Sequence, residues 1–151
     1  MRAVLAGRDA LGILPTGGGK SVCYQIPALA LGGLTLVITP LVSLMEDQVR
    51  RAREAGLQAA FLGSAQEASE RRSITDAART GCLDVLFVAP ERITLPPFVR
   101  LLAECDVRLL AVDEAHCISQ WGHDFRPSYR WIGRLRPWLA CPVLALTATA
   151  T

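Results

Sequence analysis

The sequence predicts an α/β domain in which an open, mostly parallel sheet carries helices on both of its faces. Short apolar runs alternate with helical stretches along the chain, a succession that is typical of such sheets. Several of these runs are apolar throughout rather than alternating, which indicates strands that are covered on both faces. With 151 residues, 51% of them hydrophobic, the chain has the length and composition of one domain with a buried core.

Each element is predicted from its local pattern. The apolar runs predicted as strands are 10–14, 34–39, 59–62, 85–88, 109–112 and 143–146. The stretches predicted as helices between them are 20–30, 44–55, 66–79 and 95–103. Residues 129–138 are expected to begin a further packed helix. In a parallel sheet, ligands bind beyond the carboxyl ends of the strands, so the residues that follow each strand are the candidates for function.

Residues 21–45 form an uncharged stretch that is long enough to suggest a membrane span. Pro27, the pair at 32–33 and Pro40 interrupt it, so a helix followed by a buried strand explains it better. The N-terminus does not resemble a signal peptide, because charged residues at 8 and 9 precede any apolar core. We therefore expect a cytoplasmic protein without a membrane partner.

Charge and cysteine content exclude little and favour no particular partner. The net charge of +2 permits nucleic-acid binding without arguing for it. The five cysteines are odd in number and never spaced as Cys-x-x-Cys, so neither a zinc site nor a disulfide framework fits. We expect them to be small buried residues in a reducing compartment.

The only lysine of the chain, Lys20, directly follows three glycines, whereas every other Lys/Arg position is arginine. A glycine-rich loop between a strand and a helix lets successive backbone N–H groups point at phosphate oxygens, and the helix N-terminus favours the same anion. Lysine would then reach the outer phosphates and a serine hydroxyl would bind Mg²⁺. The predicted ATP-binding residues are Thr16, Gly17, Gly18, Gly19, Lys20 and Ser21. Leu14 occupies the position of the usual first glycine, and a plain flexible glycine turn is the alternative.

Two acids, Asp113 and Glu114, directly follow the apolar run 109–112. An apolar strand that ends in two carboxylates at the ligand edge is costly unless a cation binds there. We predict that Asp113 contacts Mg²⁺ and that Glu114 orients and deprotonates an attacking water. The alternative is that both acids cap the next helix.

Five of the nine aromatic residues lie between positions 121 and 138, interleaved with basic side chains. Trp121, Phe125 and Tyr129 are four apart, which suits a core stripe on a helix. Pro127 and the glycine at 122 make one unbroken helix unfavourable. Aromatic faces beside guanidinium groups would instead stack single-stranded bases. The residues alone leave the stacking surface and the local core equally open.

Segments 17–21 and 113–116 together resemble the nucleotide site of superfamily 2 helicases. The chain is similar, more specifically, to the first RecA-like lobe of RecQ-family DNA helicases. Segments 39–49, 89–92 and 145–151 match that family in its own order, so the resemblance covers essentially the whole chain. Segment 119–129 resembles the aromatic-rich loop that distinguishes RecQ helicases from RNA helicases. The resemblance thus implies a RecA-like P-loop NTPase fold.

The resemblance also implies roles for individual residues. Loop 119–129 would sense single-stranded DNA, and segments 39–43 and 90–92 would touch the DNA backbone. The coupling and DNA-binding residues implied are Ser43, Arg92, His116, Gln120, Trp121, His123, Phe125, Arg126, Thr147 and Thr149. Arg71 and Arg72, in contrast, are expected to lie on a solvated helix face.

The activity implied is ATP-dependent DNA unwinding with 3′ to 5′ polarity, and the partners are ATP, Mg²⁺, single-stranded DNA and duplex junctions. No zinc is expected in this segment. Residues 1–151 would be the first RecA-like domain, truncated at both ends and lacking the second lobe with its arginine finger. We therefore expect the chain alone to bind Mg·ATP and DNA weakly and to unwind nothing. A DEAH-type RNA helicase, a nucleotide kinase or metabolic ATPase and a non-catalytic binding module remain as alternatives.

Overall fold

The structure, a computed structural model, describes residues 1–15, 17–119 and 126–149 and contains one sheet of six parallel strands. The strands are β1 (Ala10–Ile13), β2 (Leu34–Ile38), β3 (Ala59–Leu62), β4 (Val85–Val88), β5 (Val107–Val112) and β6 (Val143–Thr147). Their order in the sheet is β1-β6-β5-β2-β4-β3, and every neighbouring pair is parallel. The predicted fold class is confirmed.

Short helices cover both faces of the sheet. The α-helices are α1 (Arg2–Leu5), α2 (Val22–Leu31), α3 (Met45–Glu54), α4 (Ala68–Arg79), α5 (Pro96–Glu104) and α6 (Ile132–Leu135). Turns of 3₁₀-helix occur at Val42–Leu44, Pro90–Thr94, Ala115–Ile118, Pro127–Trp131 and Arg136–Trp138. Within the described ranges, no helix has the length and apolarity needed to cross a bilayer.

The sheet separates two hydrophobic cores because side chains of a strand point alternately to its two faces. Val37 of β2 packs in the core that includes residues of α1, α2 and α3. Leu36 and Ile38 pack in the opposite core, with residues of α4, α5 and α6. All five residues of β2 and all four of β4 are buried, as the continuous apolar runs predicted.

Element bounds differ from the predictions at a few ends. β3 and β4 have the predicted bounds, whereas β5 begins two residues early at Val107. α2 begins at Val22, since residues 17–21 form the turn that precedes it. The expected helix at 129–138 is divided into 3₁₀ and α-helical turns, with Pro127 at the first position of one 3₁₀ turn and Pro137 at the second position of the other.

The prediction of buried cysteines is wrong for Cys82, which is exposed. It lies in the turn that follows α4, where the chain passes over the surface before it enters β4. Cys117 and Cys141 are buried, and the remaining two cysteines are partly exposed.

Candidate functional site

The loop that follows β1 requires glycine at three successive positions for two different reasons. Gly17 and Gly19 have φ values of +79° and +78°, a region that other residues rarely adopt. A Cβ atom on Gly18 would lie 2.8 Å from the carbonyl oxygen of Pro15, which accepts a hydrogen bond from the Gly18 N–H. Side chains at these positions would therefore strain or displace the loop, so its backbone stays open to a ligand. Thr16 lies outside the described residues.

Lys20 and Glu114 meet across the site although they are far apart in the sequence. The Lys20 Nζ atom lies 2.7 Å from Glu114 Oε1, and the two side chains are only 15% and 19% exposed. Glu114 adopts a left-handed conformation with φ of +48°, a conformation seen at no other non-glycine residue within the described ranges. Such a conformation costs a non-glycine residue about 1–2 kcal/mol. The chain thus turns sharply at the end of β5 and directs this carboxylate at the loop.

Asp113 is buried beside that pair, with 8% of its surface exposed. Burial raises the pKa of its carboxyl group, and the negative charge of Glu114 raises it further. Three interactions lower this pKa. The Glu114 backbone N–H donates to Asp113 Oδ1 at 3.0 Å, Lys20 contributes its positive charge, and the Thr39 side chain forms a hydrogen bond. A buried carboxylate whose pKa is raised is one whose charge a bound cation would stabilise.

A cavity of about 450 Å³ connects these groups, a volume typical of small-molecule sites. Lys20, Ser21, Asp113 and Glu114 all line it. A serine hydroxyl and a carboxylate are the oxygen ligands that suit Mg²⁺, which usually takes its other ligands from water and phosphate. This donor set fits Mg²⁺. Within the described ranges, no cluster of three or more His, Cys, Asp or Glu side chains could hold a metal alone.

Sequence reasoning missed the part of the cavity wall that α2 and α3 contribute. The additional lining residues are Tyr24, Gln25, Leu41, Leu44, Asp47, Gln48 and Arg51. Tyr24 lies one helical turn after Lys20, so its position could have been inferred from the i,i+4 spacing. Gln25 follows Tyr24 on α2. The remaining side chains lie on α3 or just before it and reach the site through the packing of α3, which the sequence does not reveal.

His116 joins the end of β5 to the end of β6. Its Nδ1 atom lies 3.0 Å from Thr147 Oγ1 and 3.3 Å from Glu114 Oε2. The Thr147 hydroxyl donates to the Thr149 carbonyl oxygen at 2.9 Å and accepts from the Thr149 N–H at 3.2 Å. His116 Nδ1 thus lies within hydrogen-bonding distance of a hydroxyl that is itself bonded to the Thr149 backbone.

The remaining predicted residues lie away from this cavity. Ser43 is exposed in the turn before α3. Arg92 donates from Nη2 to the Gly63 carbonyl oxygen at 2.9 Å. Arg126 is exposed, and its backbone N–H donates to the Cys117 carbonyl oxygen at 3.0 Å. The other predicted residues lie outside the described ranges: Gln120, Trp121, His123 and Phe125. Their role as a DNA-sensing loop stays a prediction.

The chain is similar to known helicases in sequence. The family model for DEAD/DEAH box helicases matches residues 1–151. An ATP-dependent DNA helicase RecQ from Bacillus subtilis is 55% identical over 141 residues, covering 92% of this chain and 24% of that protein. A protein of the same name from Pasteurella multocida is 50% identical over 149 residues, covering 98% of this chain and 24% of that protein. The predicted resemblance is confirmed, and the chain spans about a quarter of the length of these curated relatives.

Solved structures share the fold at low sequence identity. The Hef helicase domain from Pyrococcus furiosus superposes with a TM-score of 0.73 at 23% identity, over 97% of this chain and 31% of that one. A hypothetical ATP-dependent RNA helicase from Sulfolobus tokodaii superposes with a TM-score of 0.70 at 21% identity, over 98% and 44% of the two chains. At these identities the likeness shows the fold alone.

Proposed function

The chain belongs to the DEAD/DEAH box helicase family, and on that premise we propose that it binds Mg·ATP as the first lobe of a RecQ-type, ATP-dependent DNA helicase. The observation that carries this proposal is the meeting of Lys20, Ser21, Asp113 and Glu114 around one cavity. The relatives at 50% and 55% identity are named ATP-dependent DNA helicases, which supports DNA rather than RNA as the polynucleotide. The polarity, 3′ to 5′, rests on the family resemblance.

In this proposal, Lys20 exchanges its contact with the Glu114 carboxylate for a contact with the phosphates of ATP. The ammonium group that contacts Glu114 at 2.7 Å would turn to the outer phosphates of ATP, which enter along the glycine loop. Ser21 and Asp113 would hold Mg²⁺. Mg²⁺, when bound, neutralises charge that develops on the phosphate oxygens.

Glu114 becomes available as a general base once Lys20 no longer contacts its carboxylate. Its carboxylate would then orient a water molecule and take a proton from it. The Nδ1 atom of His116 lies 3.3 Å from the second carboxylate oxygen, so the imidazole would help to keep Glu114 directed towards the cavity. We propose that His116, together with Thr147 and Thr149, transmits the state of this carboxylate to the DNA-binding side.

The family resemblance assigns the arginine finger to a second lobe. An arginine finger contributes about 10³–10⁵ to the rate in related hydrolases. We therefore expect the 151 residues alone to bind Mg·ATP, to hydrolyse it slowly and to separate no strands.

The test measures ATP affinity and turnover separately in the 151-residue chain, at low salt, with and without single-stranded DNA. Lys20→Ala should abolish nucleotide binding, because it removes the cation that contacts the phosphates. Glu114→Gln should keep binding, since it removes a competing anion, while its hydrolysis falls by about 10²–10⁴-fold. If Lys20→Ala binds Mg·ATP as tightly as the wild type, the assignment of the site is refuted. Stimulation by RNA in preference to DNA would favour the RNA helicase alternative.

A further inference from the structure

Three arginines line a second cavity, of about 310 Å³: Arg71, Arg72 and Arg92. Arg72 is exposed, and the other two come from different parts of the chain. Arg92 lies in the turn that follows β4, and Arg71 lies in the first turn of α4, which follows β3. Neither residue is fully exposed. Both therefore project near the carboxyl ends of neighbouring strands, the edge at which ligands bind in such sheets.

Both guanidinium groups are anchored on the same short loop. Arg92 donates from Nη2 to the Gly63 carbonyl oxygen at 2.9 Å, and Arg71 donates from Nη1 to the Gln66 carbonyl oxygen. The Gln66 side chain braces this loop, because it accepts from the Gly63 N–H and donates to the Phe61 carbonyl oxygen. Each anchor uses one of the five N–H donors that a guanidinium group carries. Each guanidinium group is thus held in position and still has N–H donors available for a ligand.

Arg71 and Arg92 have no acidic partner within the described ranges, in contrast to several arginines of the surface. Arg50, Arg79 and Arg136 each lie within 4 Å of a carboxylate. Across residues 1–15, 17–119 and 126–149, no carboxylate forms such an ion pair with Arg71 or Arg92. Burial lowers the pKa of Arg92, and the charge of Arg71 lowers it further. Two like charges close enough to affect each other are stabilised by an anion that contacts both.

We propose that Arg71 and Arg92 form a subsite for one backbone phosphate of a single DNA strand. Of these arginines, the family resemblance assigns DNA contact only to Arg92, so Arg71 is the new element. The sequence had suggested only a solvated residue at Arg71. This proposal rests on the proposed function, because DNA is its ligand. The subsite shares no lining residue with the nucleotide cavity, so it is not a second part of the ATP site.

The chemistry of the cavity favours a sugar and phosphate over a base. Its inner wall is apolar, formed in part by Leu62, Phe98 and Leu101, each no more than 4% exposed. An apolar wall strengthens charge-assisted hydrogen bonds and packs against a sugar. Apart from the arginines, Thr75 supplies the only polar side chain among the lining residues of this cavity in the described structure. Contacts of this kind position a strand without reading its sequence.

The first test compares the salt dependence of oligo-dT binding for the wild type and three variants of the 151-residue chain. Loss of one phosphate contact should lower the slope of log K against log salt by about 0.7 in Arg71→Gln. If the variant and the wild type bind oligo-dT equally at about 1 M salt, this change in slope makes the variant bind about eight-fold more weakly at about 50 mM salt. Arg71→Lys keeps the charge and should keep the slope. Arg100→Gln removes an exposed charge from α5 outside the cavity and should match the wild type. A slope for Arg71→Gln equal to that of Arg100→Gln overturns the proposal.

The second test identifies the source of the phosphate. The Nε–Hε NMR signals of Arg71 and Arg92 are followed at constant ionic strength, first with inorganic phosphate and then with oligo-dT. Saturable shifts of both signals with both probes support the subsite. Shifts with inorganic phosphate alone, while DNA binds elsewhere on the chain, overturn the DNA assignment and leave the proposed function standing. If oligo-dT does not bind the wild type at all, the proposed DNA function fails, and the DNA subsite fails with it. An absence of shifts with either probe overturns the subsite even where DNA binds.

Discussion

Replacing Tyr129 by phenylalanine removes one hydroxyl that ties the 3₁₀ turn Pro127–Trp131 to the end of β5. Tyr129 is 1% exposed, and its hydroxyl donates to the Asp113 carbonyl oxygen at 2.8 Å. The phenylalanine ring has the same shape, so packing in the core is preserved. The substitution therefore isolates the hydrogen bond next to the metal-binding carboxylate of the proposed site.

The expected loss of stability follows from the burial of that bond. A buried hydrogen bond contributes about 1 kcal/mol, and a carbonyl group left without its donor costs about 1–3 kcal/mol. We expect Tyr129→Phe to lower the free energy of unfolding by about 1.5 kcal/mol. For a domain of about this size, that loss corresponds to a decrease in Tm of about 3–6 °C.

Tyr24→Phe is the matched control. Tyr24 is 3% exposed, and within the described part of the chain its hydroxyl makes no hydrogen bond. Urea unfolding followed by circular dichroism should show a lower midpoint for Tyr129→Phe with an unchanged m-value, and little change for Tyr24→Phe. Equal stabilities of the two variants would refute the claim that the Tyr129 hydroxyl secures Asp113.

The pH dependence gives an independent check. Burial is the main cause that raises the pKa of Tyr129, so the folded state binds the phenolic proton more tightly than the unfolded state. That contribution is complete below the unfolded pKa of about 10 and is lost as the pH rises above it. The wild type should therefore lose stability more steeply above pH 10 than Tyr129→Phe does.

Three further substitutions test the electrostatics at Asp113 and the backbone at two glycines. Asp113→Asn should raise the Tm of the nucleotide-free chain at pH 7, because burial raises the pKa of Asp113 and its charged form destabilises the fold; the gain should shrink as acid protonates the wild type. Gly33→Ala should cost about 1–3 kcal/mol in urea unfolding, since Gly33 has a φ of +66° and its Cβ would lie 2.7 Å from the Asp106 carbonyl oxygen. At Gly56, where φ is +88° and the space is open, alanine should cost only about 1 kcal/mol. Unchanged stability of Asp113→Asn, or equal costs at the two glycines, would contradict these arguments.

Local patterns predicted the strands well because the strands are apolar on both faces. The runs at 59–62 and 85–88 match β3 and β4, where burial and the flanking polar residues leave little choice of bounds. The order of the strands was not predictable. It depends on which helices pack across which strands, and no periodicity within one segment carries that information.

The residues of the site could be predicted from the sequence, but the contacts between them could not. Lys20 and Glu114 could each be assigned to the edge of the sheet, because each follows a predicted strand. Their direct contact could not, since it depends on the left-handed conformation of Glu114, which a sequence gives no reason to expect at a glutamate. Arg71 was missed for a related reason. Its position on a helix predicted a solvated residue, and only the packing of α4 against the loop at 63–66 turns it inward.

The candidate site links the ends of three adjacent strands, β1, β6 and β5. The Leu14 N–H donates to the Thr147 carbonyl oxygen at 3.0 Å, which fixes the start of the glycine loop to the end of β6. The Thr147 hydroxyl lies within hydrogen-bonding distance of His116, and His116 contacts Glu114 at the end of β5. In the proposed function, ATP would draw Lys20 away from Glu114, and the carboxylate would lose its strongest partner and depend on His116. The His116–Thr147 bond would then adjust, so we propose that a change at the phosphates is transmitted from β5 to β6 and β1 through these hydrogen bonds.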